Sequence, residues 1–497
     1  MYALGYDLGS SFVKASLLDL ATGKSLATAV SPAREMKIQT PRKDWAEQDP
    51  EMWWKNIKKA TFQLFHDARF SSSSVQAIGI SYQMHGLVLV DEHQRVLRPS
   101  IIWCDSRAVA TGEKAFLDMG REKCLAHLLN APGNFTASRL AWVKEHEPEI
   151  FSRIDQILLP GDYVAMKLTG RTSTTPSALS EGIFWDFQQD GKADFLLDYF
   201  GFPDSMFPQV VPNFSRELKV SSECSRELGL PEGIPVSYRA GDQPNNAFSL
   251  KALHPGEVAA TAGTSGVVYG VSDSLRYDPH SRVNTFLHVN HTSESPRLGV
   301  LLCINGTGSL NAWLKRNVTT SMNYPRMNEL AAQVPVGSEG LHVLPFGNGA
   351  ERLLENANPG SSVHHMNFNM HDYRHLLRAS QESIVFAFHY GLQVMRDMDI
   401  RPGVIRATHA NMFLSPLFRQ ALSTLTGATI ELYDTDGAQG AARGAAVGAG
   451  FYDSMDQAFD GLEHITAIQP DMQQADLYAQ AYRDWKETLI KVQNTFF

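Results

Sequence analysis

The chain has 497 residues, of which 43% are hydrophobic and 20% charged, and its formal net charge is −9. These values fit a globular protein with a sizeable core and argue against long disorder, fibrous repeats, and any net positive field for nucleic acid or an anionic membrane. Four cysteines are scattered singly, so neither a disulfide framework nor a zinc site is indicated, and a reducing, cytoplasmic setting fits best.

The N-terminal run Met1 to Asp7 reads as a strand and lacks the basic start of a signal peptide. It leads into a Gly9-Ser10-Ser11 turn and a second apolar run. Asp49 can cap and Pro50 can open a helix whose apolar face is Trp53, Trp54, Ile57 and Ala60. From Val75 to Val90 two apolar strands flank the polar stretch Ser81 to Gly86. Phe202 to Ser225 is rich in Pro and Ser and is predicted to be a surface excursion. The apolar run Val300 to Ile304 stops at Asn305-Gly306, far short of the roughly 18 residues a bilayer requires. A helix is predicted from about Ser380 on the spacing of Ile384, Phe388, Leu392 and Met395, and another from the cap Ser415 to Gly427. Gly437 to Gly450 is so rich in small residues that it predicts a tightly packed internal helix. Alternation of strands and helices throughout predicts an α/β architecture.

A weak internal repeat organises these elements. Tyr6-Asp-Leu-Gly-Ser-Ser-Phe-Val13 and Ala260-Thr-Ala-Gly-Thr-Ser-Gly-Val267 align without gaps, about half a chain apart. Each copy is strand, Gly-Ser/Thr-Ser turn, strand, which predicts a duplicated fold with a first domain over 1–239 and a second over 240–497.

Such a turn exposes successive N–H groups and adds hydroxyl donors, which suits phosphate oxygens, although a single one is also an ordinary hairpin. Neither a P-loop nor a dinucleotide glycine motif occurs. Asp7, just before the first turn, is placed either as a turn cap or beside a Mg²⁺ that reconciles carboxylate with phosphate. Asp242, just past the boundary, is placed either as a helix cap or as an acceptor for a hydroxyl proton. His85 and Asp105 stand at the ends of apolar strands, where donors and acceptors suit a polyol, and Trp103 could stack on its C–H face. For His85 the alternative is a satisfied structural residue, and for Trp103 a core residue.

Taken in order, Tyr6-Asp-Leu-Gly-Ser-Ser11, Trp45 to Trp54, Gln83-Met-His-Gly86, Trp103-x-Asp-x-Arg107, Ala240-Gly-Asp-Gln243, Gly263-Thr-Ser-Gly266 and Asp436 to Ala442 resemble the FGGY family of carbohydrate kinases over nearly the whole chain, with its bacterial xylulokinase branch nearest. The resemblance implies two RNase H-like domains of the actin/Hsp70/hexokinase type flanking a central cleft. It implies Asp242 as general base, Asp7 and Asp242 on the metal side, and Met84, His85, Trp103, Asp105 and Gln243 on the sugar side. Ser10, Ser11, Lys14, Gly263, Thr264, Ser265, Gly308, Ala410 and Asn411 fall on the nucleotide side. The implied reaction is transfer from ATP, with Mg²⁺, to the terminal hydroxyl of a ketopentose, D-xylulose first. The alternatives are another polyol (L-ribulose, L-xylulose or glycerol) and a non-catalytic nucleotide switch. No nucleic-acid or membrane partner is implied, and a homodimer is allowed. Two departures stand out. Ala410, Asn411 and Met412 replace the family's glycines at the adenine turn, which should narrow or reshape the base pocket, and the family's Gly-Glu-Arg element appears as Gly349-Ala-Glu-Arg352.

Overall fold

The computed structural model describes residues 1–66 and 69–495. Two sheets dominate. The first is built from β1 (Tyr2–Leu8), β2 (Val13–Asp19), β3 (Ser25–Ser31), β4 (Val75–Tyr82) and β5 (Val236–Gly241), in spatial order β5-β4-β1-β2-β3. The second is built from β6 (Val258–Ala262), β7 (Gly266–Ser272), β8 (Asn284–Leu287), β9 (Leu298–Ile304), β10 (Val404–Thr408), β11 (Thr429–Asp434) and β12 (Glu463–Ile468), in order β8-β9-β7-β6-β10-β11-β12. Within each sheet an antiparallel three-stranded meander is extended by two parallel strands, so that β3-β2-β1-β4-β5 and β9-β7-β6-β10-β11 are copies of one plan. The two aligned Gly-Ser/Thr-Ser turns are the corresponding β1–β2 and β6–β7 hairpins. This is the duplicated α/β plan that the repeat predicts.

Seven helices matter for the site: α1 (Pro50–Phe65), α2 (Pro176–Glu181), α3 (Asp242–Ser249), α4 (Gly308–Asn317), α5 (Tyr373–Asp397), α6 (Pro416–Thr426) and α7 (Gly437–Gly448). The caps of α1 and α6 are those read from the sequence: Asp49 accepts from the Glu51 N–H, Ser415 accepts from the Phe418 N–H, and Gly427 ends α6 in the left-handed conformation. By contrast, α5 starts seven residues before the expected Ser380, at Tyr373, where Asp372 caps its first turn.

The small-residue helix α7 is internal, and it lies against the first sheet although it comes from the far end of the chain. A Cβ on Gly5 of β1 would stand 2.0 Å from the Ala438 carbonyl oxygen, and one on Gly79 of β4 would stand 2.0 Å from that of Ala441. Backbone therefore meets backbone, which only glycine permits. β5 continues to Gly241 and α3 begins at the next residue, so a division after residue 239 cuts the last strand of the first sheet. The expected surface excursion is also different in the structure. Phe202, Met206, Val211, Leu218 and Val220 are buried, and the segment bridges to β5 through Phe214 and Tyr238, so it covers that sheet edge.

The two halves also meet beyond the cleft. Asn130 of the first half receives the Thr285 N–H at 3.0 Å and donates to the Thr285 carbonyl, and Ser180 Oγ accepts the Leu287 N–H at 3.0 Å, so β8 is fastened to the first half. Among the described residues no helix is long and apolar enough to cross a membrane.

Candidate active site

Between the C-terminal ends of β1, β4 and β5 and the β6–β7 hairpin lies a cavity of about 450 Å³. It gathers residues far apart in the chain. Asp7, Ser10, Ser11 and Lys14 come from the first hairpin, Met84 and His85 follow β4, Trp103 forms a wall, and Ser265 reaches in from the second hairpin. Asp242 and Gln243 stand at the first turn of α3. A second cavity of about 530 Å³ lies on the other side of the second turn and is lined by Gly263, Thr264, Gly308, Asn411 and Met412. The Gly263-Thr264-Ser265 turn thus borders both spaces. A larger cavity of about 670 Å³ in the first half, lined by Glu51, Arg95, Lys167 and Glu227 among others, contains none of the sequence-identified residues.

Asp242 is a strongly perturbed acid in the first cavity. Burial, and then the nearby charge of Asp7, push its carboxyl up to about 7, although N–H groups at the start of α3 work the other way. Asp7 accepts from Ser81 Oγ at 2.8 Å, and burial together with Asp436 raises it too. The N-terminus of α7 comes down on this carboxylate, since a Cβ on Gly437 would lie 2.5 Å from Asp7 Oδ2. Lys14 stands 3.9 Å from Asp436, the cap of that helix.

His85 is held in one tautomer. Its Nδ1 lies 2.9 Å from the carbonyl of Glu181, and a carbonyl can only accept, so Nδ1 carries the proton. Burial and the Arg139 cation push the ring down to about 3, so it is neutral at physiological pH and its Nε2 is an acceptor for a hydroxyl. Phe135 and Phe286, one from each half, pack on the ring at centroid distances of 4.8 and 5.5 Å. Trp103 is 53% exposed, and its Nε1 is 3.5 Å from Ser10 Oγ, which leaves an open aromatic face in the cavity wall.

Three residues behave differently from expectation. Asp105 is fully buried, its Oδ2 takes the Ala46 N–H at 2.6 Å, and both oxygens are engaged by Arg107, so its hydrogen-bonding capacity is spent inside the protein. Arg107 in turn lies 3.8 Å over the Trp45 ring, so Asp105 and Arg107 form an ion pair packed inside the protein. Ala410 stands outside the second cavity's lining, with its N–H given to Thr408, whereas Asn411 lines it in the left-handed conformation at φ 54°. Gly308 offers no free donor: its N–H is bonded to the Gly263 carbonyl at 2.8 Å, and a Cβ there would lie 2.3 Å from that oxygen. Its contribution is close approach, locking the start of α4 to the turn.

One buried acid escaped the sequence reading: Glu181, which lies under His85 and is a lone acid in a stretch without periodicity, so nothing local distinguishes it from a solvated one. Glu351, of the Gly349-Ala-Glu-Arg352 element, accepts the Asn305 N–H at 2.8 Å while burial pushes it up to about 7.

Comparison with known proteins bears on what this cleft does. The FGGY family of carbohydrate kinases matches in both its parts, the N-terminal domain over residues 2–249 and the C-terminal domain over 258–452. The chain belongs to this family. It is a carbohydrate kinase, a phosphotransferase. A xylulose kinase of Escherichia coli K12 is 29% identical, with 98% of each chain covered, and one of Bacillus subtilis 168 is 26% identical over 98% of this chain and 97% of its own. The solved structure of a xylulose kinase from Rhodospirillum rubrum superposes over the whole of both chains with a TM-score of 0.89 at 26% identity. For this FGGY kinase a non-catalytic switch is not favoured.

Proposed function

We propose that this FGGY kinase transfers the γ-phosphoryl group of ATP to the terminal primary hydroxyl of D-xylulose, giving D-xylulose 5-phosphate. The observation that carries the reading is the position of Asp242. It lines one cavity with the Gly-Ser-Ser turn, the Ser265 end of the second turn, and the Met84–His85 pair. His85 Nε2 would accept one sugar hydroxyl, Gln243 can both donate and accept, and Trp103 would cover a C–H face. ATP would lie with its base in the second cavity and its phosphates across the Gly263-Thr264-Ser265 turn towards Ser10 and Ser11.

Phosphoryl transfer of this kind passes through a loose transition state, so the protein chiefly orients the reactants and offsets charge. The C5 oxygen forms the new P–O bond as the β,γ-bridging bond breaks and ADP leaves. Asp242 orients the hydroxyl and accepts its proton late. A pKa of about 7 makes it a better base than a solvated aspartate while still ionised in a useful fraction at neutral pH.

The donor set fits Mg²⁺. Among the described residues no group of three or more His, Cys, Asp or Glu could cage a metal. However, Mg²⁺ in phosphoryl-transfer sites takes only one or two carboxylates and completes its shell with phosphates and water. Asp7 and Asp242 supply two carboxylates, and Asp7 already pushes the Asp242 pKa upwards, a repulsion that a cation relieves. Mg²⁺ would neutralise charge on the phosphates there.

Assay of kcat/KM across D-xylulose, L-ribulose, L-xylulose and glycerol, with ATP and GTP, tests the assignment. D-Xylulose with ATP is expected to lead, and a tenfold preference for another polyol would replace it.

A further inference from the structure

Glu181 closes α2 and is 1% exposed. Its Oε1 accepts the backbone N–H of His85 at 3.1 Å, while its own carbonyl holds His85 Nδ1. The same His85 peptide is gripped from its other end, where Thr136 Oγ1 donates to the carbonyl at 3.0 Å and Arg139 Nη1 also donates. His85 needs this grip, because its φ of 63° lies in the left-handed region that a side chain strains to occupy. The second carboxyl oxygen faces the other half of the site. A Cβ on Gly241 would come within 2.5 Å of Glu181 Oε2 and 2.7 Å of Met84 Cγ, so this carboxyl fills the space between the sugar-side turn and the residue directly before Asp242.

We propose that Glu181 is a positioning residue of the sugar site: its carboxyl fixes the Met84–His85 turn and spaces it from the backbone that carries Asp242. The inference rests on the sugar-kinase reading above. Neutrality follows from the surroundings. No cation stands at ion-pair distance from Glu181 among the described residues. Arg239, the cation that bears on this pocket, is paired with Asp162 at 3.0 Å. Facing the carboxyl are Tyr82, Asp162 and Asp242, with His85 bonded to it and Tyr269 beyond; burial together with the two aspartates pushes its pKa well above the usual carboxylate range. An ionised carboxylate there would carry a desolvation cost that outweighs what the His85 N–H and the Tyr82 hydroxyl return.

Glu181→Ala and Glu181→Gln, measured beside the wild type, test the role. Removing the acceptor leaves the His85 N–H unpartnered, and a buried donor without a partner weakens what it positions by about tenfold or more. Glu181→Ala is therefore expected to raise the KM for D-xylulose by about that factor while the KM for ATP stays within about twofold. Glu181→Gln keeps the acceptor and the absence of charge, so it should return the sugar KM to near wild type and leave the acid limb of kcat/KM in place. An unchanged sugar KM in Glu181→Ala would overturn the proposal. So would a parallel rise in the ATP KM, failure of glutamine to rescue, or a drop of a full pH unit in the acid limb of Glu181→Gln, which would reveal a real charge beside Asp242. Glutamine is nearly isosteric, so this variant keeps the test open if alanine fails to fold. Calorimetric binding of D-xylulose without nucleotide gives the same comparison independently of turnover. Absence of transfer by the wild type would then count against the kinase reading, and equal binding by Glu181→Ala against this one.

Discussion

Replacing Asp242 with Asn should abolish turnover and at the same time stabilise the protein. The carboxyl rises from 3.8 to about 7 on folding, chiefly through burial and then through Asp7. Because the native state binds this proton more tightly than the unfolded chain, Asp242 contributes stability that is fully present below pH 3.8 and lost as the pH climbs through about 7. Three pKa units correspond to about 4 kcal/mol, an upper figure for the cost of carrying the ionised group in the empty cleft at pH 8. Asparagine carries no charge at any pH and also relieves Asp7. Urea unfolding of the nucleotide-free, cation-free protein should therefore show Asp242→Asn more stable than wild type by about 1–4 kcal/mol at pH 8, with the difference shrinking towards pH 4. Sugar binding by the variant should survive. A variant no more stable than wild type at pH 8, or a gain equal at both pH values, would refute the claim that burial and Asp7 set the state of this acid.

Other consequences are simpler to read. With Asp242 as base, kcat/KM should rise with pH and level off above about 7, and a flat profile between pH 5 and 8 would separate the base from this residue. Trp103→Ala should raise the sugar KM several-fold, since the exposed ring lines the same cavity as Met84 and His85; initial-rate kinetics measure this. Gly5→Ala should destabilise the fold by about 3 kcal/mol or prevent folding, because its Cβ would meet the α7 backbone at 2.0 Å; denaturant midpoints measure this.

How far the sequence carried depended on whether a feature was local. Both Gly-Ser/Thr-Ser turns were legible because strand, turn and strand are contiguous, and the α6 boundaries were legible because Ser415, Pro416 and Gly427 each have a backbone reason to stand where they do. The small residues of α7 announced close packing, but the partner, a sheet whose first strand lies more than four hundred residues earlier, is a tertiary fact. Asp105 was misread for a related reason: a polar residue at a strand end looks the same whether it faces a ligand or Arg107. Phe202 to Ser225 was taken for surface because prolines and serines mask irregularly spaced core residues such as Val211 and Val220. Glu181 was invisible because its meaning comes from His85 and Gly241, neither of them near it in the chain.

The central claim is that this cleft moves a phosphoryl group to a sugar hydroxyl using Asp242. Phosphorus NMR of wild type and Asp242→Asn, each incubated with ATP, Mg²⁺ and D-xylulose, tests it most directly. The account predicts one D-xylulose 5-phosphate formed for each ADP released by the wild type and neither product from the variant. ADP and inorganic phosphate without a sugar phosphate, or the same sugar phosphate from both proteins, would contradict it.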